Sequence, residues 1–143
     1  MSYTITVIEQ FLALIPQFNQ LPPEEITSLS KKLKPLRYRM GQVMVMREKM
    51  QGQVAIICEG QARMLGYDPR TKMPITLELV KSGQIIGWIN IARGIPCETA
   101  MASTEVVCLT LSNQEFYNLL ERYPNLKQEF ANKPSLVELG EFS

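Results

Sequence analysis

The segment GQVAIICEGQARM, residues 52–64, is the part of the sequence that most directly indicates the fold. Val54–Cys58 is a short apolar run of the kind found in buried strands, and a second short run, Gln61–Leu65, follows it. Gly60 separates the two runs, and glycine adopts the backbone conformations that a tight corner requires. The segment therefore predicts two successive short strands that meet at a glycine.

Similar short runs lie on both sides of this segment. The hydrophobic period changes from 3.6 to 2 residues at Lys34, where Leu36 and Tyr38 alternate with basic residues. The segment Gly66–Pro74 has the composition of a hairpin loop. Further strands are predicted at Val43–Met46, Ile75–Val80, Ile85–Ile86 and Val107–Leu111. About eight short strands separated by glycines predict an antiparallel β-roll, that is, a jelly roll or double-stranded β-helix.

Helical patterns precede and follow the strands. Two short helices are predicted first, one over Ile8–Ile15 that Pro16 ends, and one that begins at Pro22 and Pro23. After the strands, Ser112 and Glu115 have the spacing of a capping box, and an apolar stripe runs from Phe116 to Tyr123. This stripe can cover the roll or a second copy of the chain, and core burial is favoured.

A second C-terminal helix is predicted over Leu126–Asn132, before Pro134. The elements together indicate one α+β domain, mainly β, with helices flanking the roll. Its expected parts are N-terminal helices over 1–33, the β-roll over 34–111, C-terminal helices over 112–133, and a tail or linker over 134–143.

The composition favours a single domain with a binding or regulatory role. The chain has 143 residues, of which 45% are hydrophobic, which suffices for one core. The formal net charge of +1 gives no field that would attract nucleic acid. No apolar run approaches the roughly 18 residues of a membrane-spanning helix. We therefore expect neither nucleic-acid binding nor direct membrane insertion.

The cysteines and the missing histidines narrow the possible chemistry. Cys58, Cys97 and Cys108 form no CxxC pair, and the chain contains no histidine, so neither a disulfide framework nor a metal site is expected. This pattern fits a cytoplasmic location. General acid–base catalysis near neutral pH most often uses histidine, so an enzyme is the weaker class. A β-roll enzyme of the cupin type would lack the histidines that hold its metal.

Four segments, taken in order, resemble one known family. They are YRMGQVMV (38–45), GQVAIICEGQARM (52–64), LVKSGQIIGW (79–88) and STEVVCLTLSNQEFYNLL (103–120). This order is similar to that of the cyclic nucleotide-binding domain of the catabolite activator protein and of the protein kinase A regulatory subunit. The resemblance covers Phe11–Tyr123 and implies a β-roll whose ligand sits in a phosphate-binding cassette.

The segment that corresponds to the cassette is GWINIARGIPCETAMAS, residues 87–103. The family pattern resembles FGE, a short helix and then PRxAT, and Gly87 matches its glycine. Trp88 stands where the family's glutamate binds the ribose hydroxyl, and Pro96 or Cys97 stands where its arginine pairs with the phosphate. The candidate ligand residues of this cassette are Gly87, Trp88, Ile89, Asn90, Arg93, Pro96, Cys97, Glu98 and Thr99.

Both charged anchors of a cyclic nucleotide are therefore replaced. A hydrogen bond to a charged group contributes about 1.5–3 kcal/mol, so the loss of two weakens binding by about 3–6 kcal/mol, or roughly 10²–10⁴-fold. Arg93 is either a substitute cation or an exposed loop residue. Trp88 is either a recognition aromatic or, as we favour, a plug of the ribose space. Glu98 is expected to point outward, and Thr99 matches the hydroxyl residue near the base.

The resemblance implies a non-catalytic regulatory or sensory domain with a degenerate cassette and no cofactor. The cassette is also similar to that of divergent N-terminal domains in some bacterial ABC exporters that carry a cysteine-peptidase domain. This implies a segment of a larger protein, on the cytoplasmic side of a membrane, that acts on an attached domain or a protein partner. The alternative is a working sensor that binds cAMP, cGMP or another anionic ligand.

Overall fold

The computed structural model describes residues 3–45, 52–87 and 99–131, and these form five helices and eight strands. Three helices come first: α1 (Ile5–Ala13), α2 (Pro16–Asn19) and α3 (Pro23–Lys32). Two helices follow the strands: α4 (Asn113–Arg122) and α5 (Pro124–Ala131). None of the described helices is long and apolar enough to span a membrane.

The eight strands form two antiparallel four-stranded sheets. The strands are β1 (Lys34–Tyr38), β2 (Val43–Val45), β3 (Gln53–Glu59), β4 (Ala62–Tyr67), β5 (Pro74–Val80), β6 (Ile85–Ile86), β7 (Ala100–Ala102) and β8 (Val106–Ser112). The first sheet has the order β1-β8-β3-β6, and the second has the order β2-β7-β4-β5. The predicted α+β class with an antiparallel β-roll between helices is confirmed.

Strands β3 and β8 lie in the middle of the first sheet and contribute to two cores. Val54, Ile56 and Leu109 face the helices and pack with Phe18 of α2 and Phe116 of α4 in an outer core. The alternate positions of the same strands face the second sheet in an inner core, which includes Ala55, Ile57, Val106 and Cys108. Because side chains alternate along a strand, one sheet forms a wall of both cores.

Proline residues begin helices where the sequence patterns predicted only their ends. Two N-terminal helices were predicted and three are present, because Pro16 occupies the first turn of the short helix α2. Pro124, expected to end the apolar stripe of α4, is also the first residue of α5. Proline lacks the N–H that the first helical turn leaves unpaired, and its fixed φ suits that position. The expectation of two N-terminal helices was therefore wrong.

Gly60 forms the corner between β3 and β4 that the opening segment predicts. Its φ is +88°, and a Cβ at this position would lie 2.1 Å from the carbonyl oxygen of Glu105. The turn is held by the side chain of Thr104, whose hydroxyl accepts a hydrogen bond from the backbone N–H of Gln61 at 3.0 Å. Only glycine satisfies both the backbone conformation and the close approach.

The β4–β5 hairpin is present, but its strands are longer than predicted and its register is irregular. The loop is confined to residues 68–73, where the Asp68 carboxylate accepts a hydrogen bond from the backbone N–H of Arg70 at 2.8 Å. Met64 pairs with Glu78 and Leu65 pairs with Thr76, so the β5 residue between them, Leu77, is a bulge.

Because of this bulge, the apolar residues of β5 do not all lie on one face of the strand. Ile75 and Leu79 are 43% and 44% exposed, whereas Val80 is buried. Leu77, at the bulge, packs against the inner core instead.

Two ion pairs join α3 to α4. Glu25 near the start of α3 pairs with Arg122 at the end of α4, at 2.5 Å, and Lys32 at the end of α3 pairs with Glu115 at 3.0 Å. The N-cap half of the capping box predicted at Ser112 is confirmed, since its hydroxyl accepts a hydrogen bond from the backbone N–H of Glu115 at 3.2 Å, while the Glu115 carboxylate pairs with Lys32. Phe116, Leu119 and Leu120 of the α4 stripe are buried in the outer core, as favoured from the sequence.

Candidate functional site

The two described ends of the predicted cassette both adjoin the inner core. Gly87 directly follows Ile86 of β6, and Thr99 directly precedes Ala100 of β7. Ile86 and Ala100 are both fully buried, and both belong to the inner core between the sheets. The cassette therefore begins on the first sheet and ends on the second, at positions where the two sheets face each other.

Gly87 has the geometry of a required glycine. Its φ is +97°, it is buried, and a Cβ would lie 3.3 Å from the carbonyl oxygen of Gln53 and 3.5 Å from the Cα of Val54. A side chain would press against the backbone of β3 in a conformation that other residues rarely adopt. This supports the turn that the sequence predicts at Gly87.

Thr99 extends the pairing between β7 and β4. Its carbonyl oxygen accepts a hydrogen bond from the backbone N–H of Leu65 at 2.9 Å, and the residue is half-buried. The next pair in the ladder joins Ala100 to Met64. Thr99 thus lies next to the end of β7, where the cassette joins the second sheet, and it alternates with the inner-facing Ala100.

The other predicted cassette residues lie outside the described residues. They are Trp88, Ile89, Asn90, Arg93, Pro96, Cys97 and Glu98. Their assignments, including the plug formed by Trp88 and the substitute cation at Arg93, stay predictions from the sequence.

The structure places one further charged residue, which the sequence patterns did not single out, on the same inner face of the second sheet as Ala100. Glu78 pairs with Met64 across β4 and β5, and it lies two residues before Val80. Met64 and Val80 are both buried in the inner core, and cross-strand partners and alternate residues of a strand share a face. Glu78 therefore belongs to the inner face of the roll, on the edge strand of the second sheet. The apolar residue in phase with it, Val80, agrees with this face, but Leu77 and Leu79 on either side of Glu78 suggest the opposite one.

The bulge at Leu77 shapes the surroundings of Glu78. Leu77 packs against the inner core beside it, and a Cβ on Gly66 would lie 2.7 Å from Leu77 Cδ1. The missing side chain of Gly66 leaves the space that Leu77 occupies. Glu78 is thus a half-buried carboxylate with apolar neighbours on its own strand and on β4.

Glu78 is the charged member of an otherwise apolar wall. Within residues 43–45, 62–67, 74–80 and 100–102, the other inner-core residues of the second sheet are Met44, Ala62, Met64, Leu77, Val80, Ala100 and Ala102. Among the residues that the structure describes, Glu78 makes no hydrogen bond or ion pair. Because two strand spacings separate β5 from β7, the Cα of Glu78 lies about 10 Å from that of Ala100, next to Thr99.

The two described cysteines pack against the cores, Cys58 against the outer core and Cys108 in the inner core. Burial raises the pKa of the Cys108 thiol to about 12, and burial raises the pKa of the Cys58 thiol to about 12 as well. Both thiols are therefore protonated at neutral pH and poor nucleophiles. No group of three or more acidic or cysteine side chains that suits a metal ion occurs in the described part of the chain.

Comparison with known proteins finds one matching family model and several solved structures of similar fold. A family model described as the cyclic nucleotide-binding domain matches residues 35–123, which include the whole cassette.

Among solved structures, the regulatory subunit of a cAMP-independent protein kinase A from Trypanosoma cruzi, bound to guanosine, matches with a TM-score of 0.81 at 22% identity. The match covers 96% of this chain and 48% of that one. A triple mutant of the corresponding Trypanosoma brucei subunit, bound to cAMP in its A site, matches with a TM-score of 0.82 at 20% identity, covering 96% and 50% of the two chains.

The catabolite activator protein of Thermus thermophilus matches with a TM-score of 0.69 at 19% identity, covering 82% of this chain and 55% of that one. The chain therefore spans about half the length of these three proteins. At these identities the likeness concerns the fold alone.

Proposed function

Because the chain belongs to the cyclic nucleotide-binding domain family, we propose that it is a non-catalytic regulatory domain whose cassette has lost ordinary recognition of cAMP and cGMP. The sequence replaces both charged anchors of the family, with Trp88 in place of the glutamate and Pro96 or Cys97 in place of the arginine. Gly87 keeps the turn that begins the cassette. We thus propose a domain that keeps the fold of the family but has a changed ligand site.

The observation that carries this proposal is the Glu78 carboxylate on the inner face of the roll, which has no hydrogen-bond or ionic partner among the described residues 3–45, 52–87 and 99–131. A phosphate bound between Gly87 and Thr99 would lie on the order of 10 Å from this carboxylate. At that separation and an effective dielectric constant of about 20, two like charges repel by about 1.5–2 kcal/mol, or about ten- to thirtyfold in affinity. This repulsion adds to the loss of the two anchors.

Calorimetric titration with cAMP and cGMP tests the proposal directly. We expect no saturable binding in the micromolar range for the wild-type chain, and no change on replacing the candidate substitute cation, Arg93→Ala. Micromolar binding of either cyclic nucleotide that is lost in Arg93→Ala would overturn the proposal, because the cassette would then hold a phosphate by another cation.

Restoring the anchors provides the positive control. The double variants W88E/C97R and W88E/P96R place a glutamate and an arginine at the positions of the two possible alignments. We expect one of them to bind cAMP at least about a hundredfold more tightly than the wild type. The cAMP-bound Trypanosoma brucei subunit carries three substitutions, one of which introduces an arginine for a threonine. If both double variants keep their thermal stability and neither gains affinity, the cassette assignment is wrong.

A second candidate function is a sensor of an uncharged small molecule in the same roll. It is favoured by Glu78, which disfavours an anion and accepts hydrogen bonds. The Trypanosoma cruzi subunit, of the same fold, was solved with guanosine, a nucleoside without a phosphate. Titration with nucleosides against their cyclic monophosphates separates this function from that of an anion sensor.

We further propose that the domain regulates a larger protein on the cytoplasmic side of a membrane, such as a bacterial ABC exporter. The support is the similarity of its cassette to those of exporter N-terminal domains, together with matched proteins about twice its length. The genomic reading frame tests this proposal. An attached transporter or peptidase domain supports it, and an attached DNA-binding or kinase domain contradicts it.

A further inference from the structure

We propose that Glu78 determines the ligand class of the roll and selects a planar group that offers two parallel N–H donors, as a guanine base or a guanidinium does. This inference rests on the proposed function, since it places an uncharged or cationic ligand where the family binds an anion. Its basis is the position of one carboxylate, which the sequence patterns did not assign to the site.

The first step is the orientation of Glu78. Its cross-strand partner Met64 and its alternate neighbour Val80 are 4% exposed and lie in the inner core. Two independent relations, register and alternation, therefore place Glu78 on the inner face. Since β5 is the edge strand of the second sheet, Glu78 lies at the edge of this sheet, where it is half-buried.

The second step is the unsatisfied state of the carboxylate. Glu78 is half-buried beside Met64, Leu77 and Val80, and it has no hydrogen-bond or ionic partner in the described ranges 3–45, 52–87 and 99–131. A half-buried carboxylate with no partner has both oxygens available to accept hydrogen bonds from a ligand. The other described salt bridges occupy the outer surfaces of the helices and the corner at Glu105.

The third step is the geometry that a carboxylate recognises. Its two oxygens accept two parallel hydrogen bonds, and such bidentate pairs are stronger and more selective than single bonds. Guanine offers adjacent N1–H and N2–H donors on one edge. Hypoxanthine offers one of these donors, and adenine presents an acceptor beside its amino group. The order of affinity that Glu78 predicts is therefore guanosine, then inosine, then adenosine.

The test is calorimetric titration of the full chain with guanosine, inosine, adenosine, cGMP and agmatine. We expect guanosine to bind about ten- to a hundredfold more tightly than adenosine, with inosine between them. Agmatine carries a guanidinium group but no nucleobase, so its titration distinguishes a guanidinium ligand from a guanine ligand. Binding of agmatine without guanosine assigns the site to a guanidinium, and the reverse assigns it to a guanine base.

Two variants connect the preference to Glu78. Glu78→Gln keeps the size of the side chain but replaces one acceptor oxygen by a donor, so it should reduce guanosine or agmatine affinity at least about tenfold. It should also leave the thermal stability of the ligand-free chain equal or higher, because the unpaired charge is removed. Glu121→Gln, on the exposed face of α4, is the matched control and should leave affinity unchanged.

The outcomes separate this inference from the proposed function. Absence of guanosine and agmatine binding, equal binding of guanosine and adenosine, or unchanged affinity in Glu78→Gln overturns the role of Glu78. In all three cases the proposed function, a domain that has lost recognition of cAMP and cGMP, is unaffected. Tighter binding of cGMP than of guanosine overturns the proposed function instead, whatever the base preference.

Discussion

Gly60 and Gly41 have nearly the same backbone conformation in different surroundings. Their φ values are +88° and +86°, but a Cβ on Gly60 would lie 2.1 Å from Glu105 O, whereas no atom lies within 4 Å of a Cβ on Gly41. Gly41→Ala should therefore lower the free energy of unfolding by about 1–2 kcal/mol, the conformational cost alone. Gly60→Ala adds a backbone collision and should lower it by about 2 kcal/mol more.

Urea unfolding followed by circular dichroism measures both free energies. The pair separates conformational strain from steric exclusion, because the conformational cost is common to both glycines. Equal losses for the two variants would show that the corner at Gly60 relaxes away from Glu105 without significant cost.

At the candidate site, sequence patterns predicted the position of one residue but not that of another. Gly87 was predictable because a cassette glycine has a local signature and a local reason, its positive φ. Glu78 was not, because its apolar neighbours Leu77 and Leu79 suggest that it belongs to the polar, outward face of β5. The bulge at Leu77 alters this relation, and a bulge depends on the register with β4, which the sequence of β5 does not contain.

At the scale of elements, the connection between α3 and α4 depends on one largely buried carboxylate. The Glu25 side chain is 15% exposed and pairs with Arg122 at 2.5 Å, whereas Glu121 is 51% exposed and pairs with Lys127 at 3.2 Å. Glu25→Gln should lower the free energy of unfolding by about 1–2 kcal/mol, because a hydrogen bond between charged groups is lost in a shielded position.

Glu121→Gln is the matched control, and it should change stability by less than about 0.5 kcal/mol, as expected for an exposed pair. Urea unfolding at low and at high salt measures the free energy of unfolding of both variants. A loss in Glu121→Gln as large as that in Glu25→Gln would contradict the role of burial, and the effect of Glu25→Gln should persist in high salt more than that of a surface pair.

The helices and strands were predictable to different degrees for physical reasons. The strands around Gly60 and the helix N-cap at Ser112 were confirmed because period, corner residues and caps are local features. The short helix α2 at Pro16 was not predicted, and α5, predicted over Leu126–Asn132, begins two residues earlier at Pro124, because proline both ends one helix and begins another. A new helix begins where the residues after the proline pack against the core, as Phe18 and Leu126 do in the outer core.

At the scale of the whole molecule, the first sheet is the common wall of both cores. Val106–Leu111 of β8 is buried throughout, with alternate residues in the outer and inner cores. Strand β5, at the edge of the second sheet, has exposed residues along most of its length. Opening β8 disrupts both cores at once, whereas β5 can separate from β4 alone.

Amide hydrogen exchange should therefore distinguish these strands. We expect the amides of Val106–Leu111 and Val54–Ile57 to exchange only through global unfolding, and those of Ile75–Leu79 to exchange about tenfold faster or more. Exchange in native buffer, followed by mass spectrometry of peptic fragments, measures this difference. Equal protection of β5 and β8 would contradict the assignment of the first sheet as the shared wall.

The contact between Gly66 and Leu77 also constrains how this domain can diverge. A side chain at position 66 and a leucine at position 77 compete for one volume, so the two positions should change together in related sequences. Relatives that acquire a larger residue at 66 should carry a smaller one at 77 and a regular β4–β5 ladder. Since the same bulge adjoins Glu78, we expect covariation of 66 and 77 to mark lineages in which the specificity of the roll has changed.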